Sequence, residues 1–374
     1  MEVLVTGDFC PQCRVAELFD KSEFDTVLGE VKPIIEHVDY SIVNFECPVT
    51  TGDEKPIEKY GPNIQCTEKG MEAVKWAGFD CVTLANNHFL DFGEGGVNHT
   101  LEACKKYGID SVGGGLDLHE ASQILYKKID GKTLAVVNCC EHEFSIATET
   151  TAGSNPLNPI KQYYAILEAK KNADFILVIV HGGHEHYQLP SPRMQETYRF
   201  FIDAGADAVV NHHQHCYSGY EMYKEKPIFY GLGNFCFDKP NYFEGLWEYG
   251  YMVKLQFAKS ISFDIIPYKQ CKERPTIALL KDQASFDNQL LELNTIISDK
   301  QKLLEQTAIY YKNSSEKTHF AFEPYYGKIL MKLYMMGLLP RIMAKIKMLN
   351  LRNMVECESH LDKTKYFFQH FNDD

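Results

Sequence analysis

The chain has 374 residues, 45% of them hydrophobic and 24% charged, which excludes a disordered chain and allows a large core in an α/β domain with or without an appendage. A net charge of −13 argues against broad electrostatic binding of nucleic acid but suits the holding of metal cations. Twelve cysteines lie in apolar segments without a regular framework, the pattern of reduced, buried thiols in a cytosolic protein. Cys10-Pro-Gln-Cys13 has redox or zinc spacing, but no second pair accompanies it. The start, MEVLVTGDF, has no basic n-region or apolar run of a signal peptide, and no stretch of about 18 uncharged apolar residues occurs. A cytoplasmic location is therefore expected.

In chain order, Glu2–Thr6 and Ser41–Phe45 read as strands, and Met71–Ala77 has helical spacing before the strand Asp80–Ala85. Gly95–Tyr107 is a helix ended by Gly108, and Asp130-Gly131 marks a hairpin within Ile124–Val137. The same Gly131-Lys132-Thr133 lacks the earlier glycine of a phosphate-binding loop. Helices over Pro159–Asn172 and Arg193–Ala204 each precede a strand, Phe175–Val180 and Ala208–Val210. Strand alternating with helix predicts an α/β layered fold, and consecutive strands over Tyr220–Pro267 make the sheet mixed. Near Ser285 the pattern turns helical, over Asp287–Tyr311, Tyr325–Met336 and Ile342–Leu351. The expected division is a catalytic domain over 1–284 and a helical C-terminal region over 285–374. Within the latter, 324–355 has no Asp or Glu but holds Lys328, Lys332, Arg341, Lys345, Lys347 and Arg352 among Leu, Ile and Met. Two readings stand: a basic amphipathic element for an anionic membrane or acidic partner, or a helix pair packed on the domain with its basic residues in water.

Strand ends carry the chemistry. In α/β sheets ligands gather at loops leaving strand C-termini. Here those loops bear Asp8, then Asn44 and Glu46, then Asn86-Asn87-His88 and Asp91, then His181 to His186, then Asn211-His212-His213-Gln214-His215. One polar residue at a strand end is an ordinary cap; five such clusters of Asp, Glu, Asn and His point to a metal site. Carboxylates, neutral imidazoles and an amide oxygen suit borderline or hard divalent ions such as Mn, Zn, Fe or Mg. Glu46 is a candidate to bridge two ions, and His88 is placed to protonate a leaving group, with Asp91 holding its ring. Tyr187 and Arg193 flank the His181 motif as candidate contacts to an acidic substrate, and His142 and Glu143 follow another strand end.

These residues, in this order, resemble the CapA family of poly-gamma-glutamate capsule synthesis proteins, built on the calcineurin-like metallophosphoesterase fold. The resemblance spans roughly residues 1–245. It is carried by TGDF, VNFECPVT, AGFDCVTLANNHFLDFGEGGVNHT, SVGGGLDLHEA, VIVHGGHEHY and GADAVVNHHQHCYSGYEMYKEKPIFYGLGNFCFD. It implies a metallophosphatase-like layered sandwich of mixed β-sheets flanked by helices. It implies Asp8, Glu46, Asn87, His181, His213 and His215 as metal ligands and His88 as the catalytic or substrate-facing histidine. Glu185 falls on the family's glutamate, as ligand, base or neighbour of the ligands; Asn234 and Asp238 in the closing motif would order loops near the site. Asn44 and His212 are expected beside the ligands or the substrate.

Cys10 stands where the wider superfamily has a histidine, and Glu46 where it commonly has an aspartate, so one ion or two remain open. Asn211, Gln214 and Ser218 also depart from the family's closing motif. The expected function is a metal-dependent hydrolase cleaving an amide or phosphoester bond in a glutamyl polymer, a peptide or a cell-envelope substrate. Two alternatives are a metal-dependent peptide epimerase and a non-catalytic accessory of polymer synthesis or export, the latter recruited to a membrane periphery or a protein partner through 324–355.

Overall fold

The computed structural model describes residues 1–240 and 246–370. Residues 241–245, inside the stretch expected to hold consecutive strands, lie outside the described residues, as do 371–374. By contact the chain divides into two compact units, Met1–Leu303 and Leu304–Asp374.

The first unit contains two mixed sheets. One runs in the order Ile277–Leu279, Ser262–Gln270, Tyr249–Gln256, Glu2–Phe9, Tyr40–Phe45, Cys81–Thr83, Asp110–Val112, with Asn234–Cys236 paired to the end of Glu2–Phe9. The other runs Tyr220–Tyr223, Lys226–Phe229, Ala208–His212, Phe175–His181, Lys132–Cys140, Leu125–Ile129. The site-bearing strands are parallel to their neighbours: Glu2–Phe9 with Tyr40–Phe45, that strand with Cys81–Thr83, and Phe175–His181 with both Ala208–His212 and Lys132–Cys140. Parallel strands share one direction, so their C-terminal loops collect along one edge of each sheet.

The layering follows from period-two burial. Val3, Val5 and Ile42 pack with Leu134, Val136, Leu177 and Ile179 between the sheets. Leu4 and Val43 face the opposite way, onto a layer including Phe19, Met71, Val74 and Val97 from helices. Val178 and Val180 face a third layer with Ile166, Tyr198 and Phe201. Each central strand is therefore covered on both faces, which is why it reads as a continuous apolar run. The result is a helix–sheet–sheet–helix sandwich, the metallophosphatase-like layered fold of mixed sheets expected from sequence.

Local signals explain most elements. Pro159–Asn172 begins where expected, with Asn158 accepting hydrogen bonds from the Ile160 and Lys161 amides. Asp130 and Gly131, at φ 47° and 80°, make the two-residue turn between Leu125–Ile129 and Lys132–Cys140. The single helix expected over Asp287–Tyr311 is instead two, Gln283–Ser298 and Lys300–Ala321. The break is at Asp299, whose side chain accepts from the Gln301 and Lys302 amides and so starts a new helix. The Gln283–Ser298 helix buries Phe286, Leu290 and Ile297 and falls in the first compact unit. Among the described residues no helix is long and apolar enough to cross a membrane.

One close approach sets the first site residue. The Asp8 amide donates to the Gly233 carbonyl at 3.1 Å, and a Cβ on Gly7 would lie 1.9 Å from that oxygen. A backbone carbonyl held in a sheet cannot retreat by that much. Gly7→Ala is therefore expected to lower unfolding stability by about 2 kcal/mol or more. Urea denaturation checks this as a lower midpoint at unchanged slope; an unchanged midpoint would show that the strand end accommodates the methyl group.

Candidate metal centre

The C-terminal ends of strands from both sheets meet over a small buried volume. Asp8, Glu46, Asn87, His181, His213 and His215 are all buried there. Two ligand groups can be drawn among them, Glu46 with His181 and His213, and Asp8 with Glu46 and His215, the ligand atoms of each lying within 4.8 Å of one another. Glu46 belongs to both. Its Oε1 is 3.8 Å from His181 Nε2 and 3.7 Å from His215 Nε2. The His181 Nε2 atom is also 3.0 Å from Asn87 Oδ1 and 3.1 Å from His213 Nδ1. Six ligands expected from the resemblance thus converge on one place.

The carboxylate of Glu46 is the test of whether a cation fits. Both its oxygens are buried without a hydrogen-bond partner. A buried carboxylate left unpaired is costly, so an orphan of this kind calls for a positive charge or a proton. Burial pushes the Glu46 carboxyl well above its usual range, and nearby Asp8 adds to this. Burial also raises Asp8, against the influence of His212 and the hydrogen bond from Asn44. Burial holds the His181 and His215 imidazoles well below their ordinary value, with His213 adding to the effect. Neutral imidazoles are ready ligands, and a divalent cation reverses the preference of the carboxyls. The donor set therefore fits one or two divalent ions, with Glu46 placed to be shared.

Surrounding residues aim the ligands. Asn44 donates from Nδ2 to Asp8 Oδ1 at 2.7 Å and lies 3.3 Å from His181 Nδ1, while Thr83 donates to Asn44 Oδ1. Asn234 Oδ1 is 2.9 Å from His215 Nδ1, which leaves His215 Nε2 toward Glu46. His212, buried nearby, has Nε2 2.9 Å from the Thr6 carbonyl. His213 and His215 have φ of 92° and 53°, conformations that non-glycine residues seldom take and that cluster where function demands them.

His88 sits beside this group, its Nδ1 2.6 Å from Asp91 Oδ2. Asp91 is buried and also accepts the Ile64 amide, so the ring is held from a fixed carboxylate, as the three-residue spacing predicts. Asn87, His88 and His215 form part of the lining of a cleft of about 660 Å³, with Lys59, Tyr60, Phe144, Lys239 and Trp247 among its other walls. Glu185 lines the same cleft half-exposed, with His186 Nε2 3.8 Å from its carboxylate; it belongs to neither ligand group. Asp238 lines the cleft too, but its carboxylate is engaged by the Arg14 backbone amide and guanidinium, which ties the closing loop to the helix Cys13–Asp20.

Two expected substrate contacts are not among the residues that line this cleft. Arg193 does not line the cleft; it pairs with Glu141 instead. Tyr187 packs against the apolar layer under the outer helices and likewise stays out of the cleft. The loop after His181 turns through Gly183 at φ 108° and His186 at φ 60°, and Glu141, the partner of Arg193, accepts from the Gly183 amide. Cys10 and Cys13 are not a pair: Cys10 is buried and Cys13 exposed. The Cys10 thiol, pushed up to about 11 by burial, contacts Cys47, which also contacts Cys66. Asn211, at a departure from the family motif, holds loops by donating to the Gly182, His212 and Tyr230 carbonyls.

Two residues were not foreseen in their roles. Lys59, almost fully buried, pairs with Asp91 and comes within 3.3 Å of His88 Nδ1. Its loop has no periodic signal, so only a Lys amid Pro and Gly residues could have suggested it. Glu143 accepts from Asn87 Nδ2 at 2.9 Å, which turns the Asn87 oxygen toward His181. A Glu shortly beyond the end of an apolar strand was the available hint.

This layered fold carries its candidate ligand residues on loops at the joint edge of two sheets. The chain belongs to the bacterial capsule synthesis protein family PGA_cap, whose model matches residues 2–239. It is 36% identical over 247 residues to the capsule biosynthesis protein CapA of Bacillus anthracis, covering 64% of this chain and 60% of that protein. It is 34% identical to the PGA biosynthesis protein CapA of Bacillus subtilis (strain 168), covering 62% of each. The chain thus spans about 60% of the length of these curated relatives. A 5'-nucleotidase precursor from Thermus thermophilus aligns over 78% of this chain and 57% of its own, at 12% identity and a TM-score of 0.41, a likeness too slight to argue from.

The orphaned carboxylate yields a stability test. With metal removed, Glu46→Gln is expected to be at least as stable as wild type, because it removes a buried unpaired acid. On adding Mn or Zn, wild type should gain roughly 2.7 kcal/mol at a hundredfold excess over Kd, while the variant gains little. Thermal melts with and without metal check both halves. A variant that melts far below metal-free wild type would mean that Glu46 is held by protein contacts instead.

Proposed function

We propose that the chain is a divalent-metal-dependent hydrolase acting on an amide or phosphoester bond of an anionic glutamyl polymer, peptide or envelope-related substrate. The observation that carries this is the pair of ligand groups sharing the orphaned Glu46 carboxylate. Asp8, Glu46, Asn87, His181, His213 and His215 would hold the ions. When bound, such ions supply Lewis-acid polarisation of a carbonyl or phosphoryl oxygen and a water acidified toward neutral pH.

The rest is the work of side chains. Asp91 accepts from His88 Nδ1, which leaves the other ring nitrogen for the cleft and a leaving group. Lys59 completes a buried Lys59–Asp91–His88 cluster and holds the Asp91 carboxylate in place. The cleft walls combine Lys59 and Lys239 with Tyr60, Phe144 and Trp247, and Lys239 lies 4.8 Å over the Trp247 ring. Cationic and aromatic groups of this kind suit an extended chain bearing carboxylates. The capsule-synthesis names of the relatives support a glutamyl polymer as the first substrate to try.

Two measurements test the reading. Elemental analysis of protein purified without chelator should find close to two ions per chain in wild type and a sharp loss in Asp8→Ala/His215→Ala. His88→Gln should keep the metal yet lose roughly 10²- to 10⁴-fold in kcat on the substrate that wild type cleaves. One ion per chain, with solvent deuterium entering a peptide without cleavage, would favour the epimerase alternative. Folded protein that takes up no added Mn or Zn would end the catalytic reading and leave the accessory role.

A further inference from the structure

The second compact unit carries a surface that the metal centre does not use. In its helix Lys328–Met335, Tyr334 is buried against Phe320 and Tyr325 and marks the inner side. The opposite side carries Lys328, Ile329, Lys332, Met335 and Met336, all exposed and recurring at helical spacings of three, four and seven. The connection beyond it exposes Leu338 and Ile342, and the helix Lys345–Glu356 exposes Lys345, Ile346, Lys347, Leu349 and Arg352. Ile329 is 78% and Ile346 75% exposed, above Ile160 at 68% and Leu291 at 63% in the first unit. Apolar and basic residues thus interleave over one stretch, 324–355, that holds no Asp or Glu in a chain of net charge −13.

The charges are mostly uncommitted. Arg341 pairs with Glu316 and Arg352 with Glu356. Among the described residues no ion pair involves Lys328, Lys332, Lys345 or Lys347, whereas lysines elsewhere in the chain, such as Lys32, Lys69 and Lys127, find acids. Exposed aliphatics next to uncommitted lysines describe a surface made to meet something both apolar and negative.

We propose that this face docks on an anionic lipid surface, with Ile329, Met336, Leu338 and Ile346 entering the headgroup boundary and the four lysines over lipid phosphates. A bilayer fits better than an acidic protein because the aliphatics stand out singly from two short helices and the turn between them. They would enter a fluid layer without needing shape complementarity, and lysine is a point charge for phosphate rather than a fork for carboxylates. The inference is independent of the metal-centre reading, so the Asp8→Ala chain docks as wild type does.

Sedimentation of the full chain with vesicles tests it. Phosphatidylcholine–phosphatidylglycerol vesicles should carry the chain to the pellet, pure phosphatidylcholine vesicles should not, and added salt should release it. Each of the four lysines is expected to be worth roughly fivefold in partitioning, so Lys328→Glu/Lys332→Glu/Lys345→Glu/Lys347→Glu should abolish binding. Ile329→Ser/Ile346→Ser should weaken it at least roughly tenfold with the charge unchanged. All six sites are exposed, and circular dichroism with metal content confirms that each variant is folded. The proposal fails if the chain stays in the supernatant with anionic vesicles, if neutral vesicles bind it equally, or if charge reversal leaves binding intact. Failure to bind lipid, with crosslinking instead to an acidic protein, also overturns it.

Discussion

A carboxylate with both oxygens buried and unbonded is held where the edges of two sheets meet, and much of the first unit is arranged around that fact. Glu46 comes from one sheet, while His181, His213 and His215 come from the other. Placing an acid there without a partner costs stability that the apolar layers must offset. The geometry is kept by residues that never touch an ion: Asn44 on Asp8, Asn234 on His215 and Glu143 on Asn87. Each removes one rotational choice from a ligand, and together they hold the cluster ready for a cation.

The candidate ligands were legible because a parallel strand, covered on both faces, has an apolar sequence that stops abruptly, so whatever polar residue follows stands out. Asp8, Asn87, His181 and His213 all sit at such stops. His88 and Asp91 were legible because three residues of separation fall within one tight turn. Lys59 was not, because it comes from an irregular loop whose path is decided by distant contacts such as the Ile64 amide on Asp91. Tyr187 and Arg193 are close to His181 in sequence, yet neither is among the residues lining the cleft. The break at Asp299 hid within an unbroken helical periodicity, since capping is decided by one side chain and periodicity by many.

The two units divide the charge of the chain unevenly. The stretch 324–355 keeps only basic groups, in a chain of 51 acidic and 38 basic residues.

The Asp8 carboxylate and the His213 amide that bonds it are 205 positions apart in the chain. A nascent chain therefore has no complete ligand set until both sheets are synthesised, and an ion cannot template the earliest folding steps. Loop closure over that separation falls to the apolar layers, so any ion would be captured only once both sheets are in place.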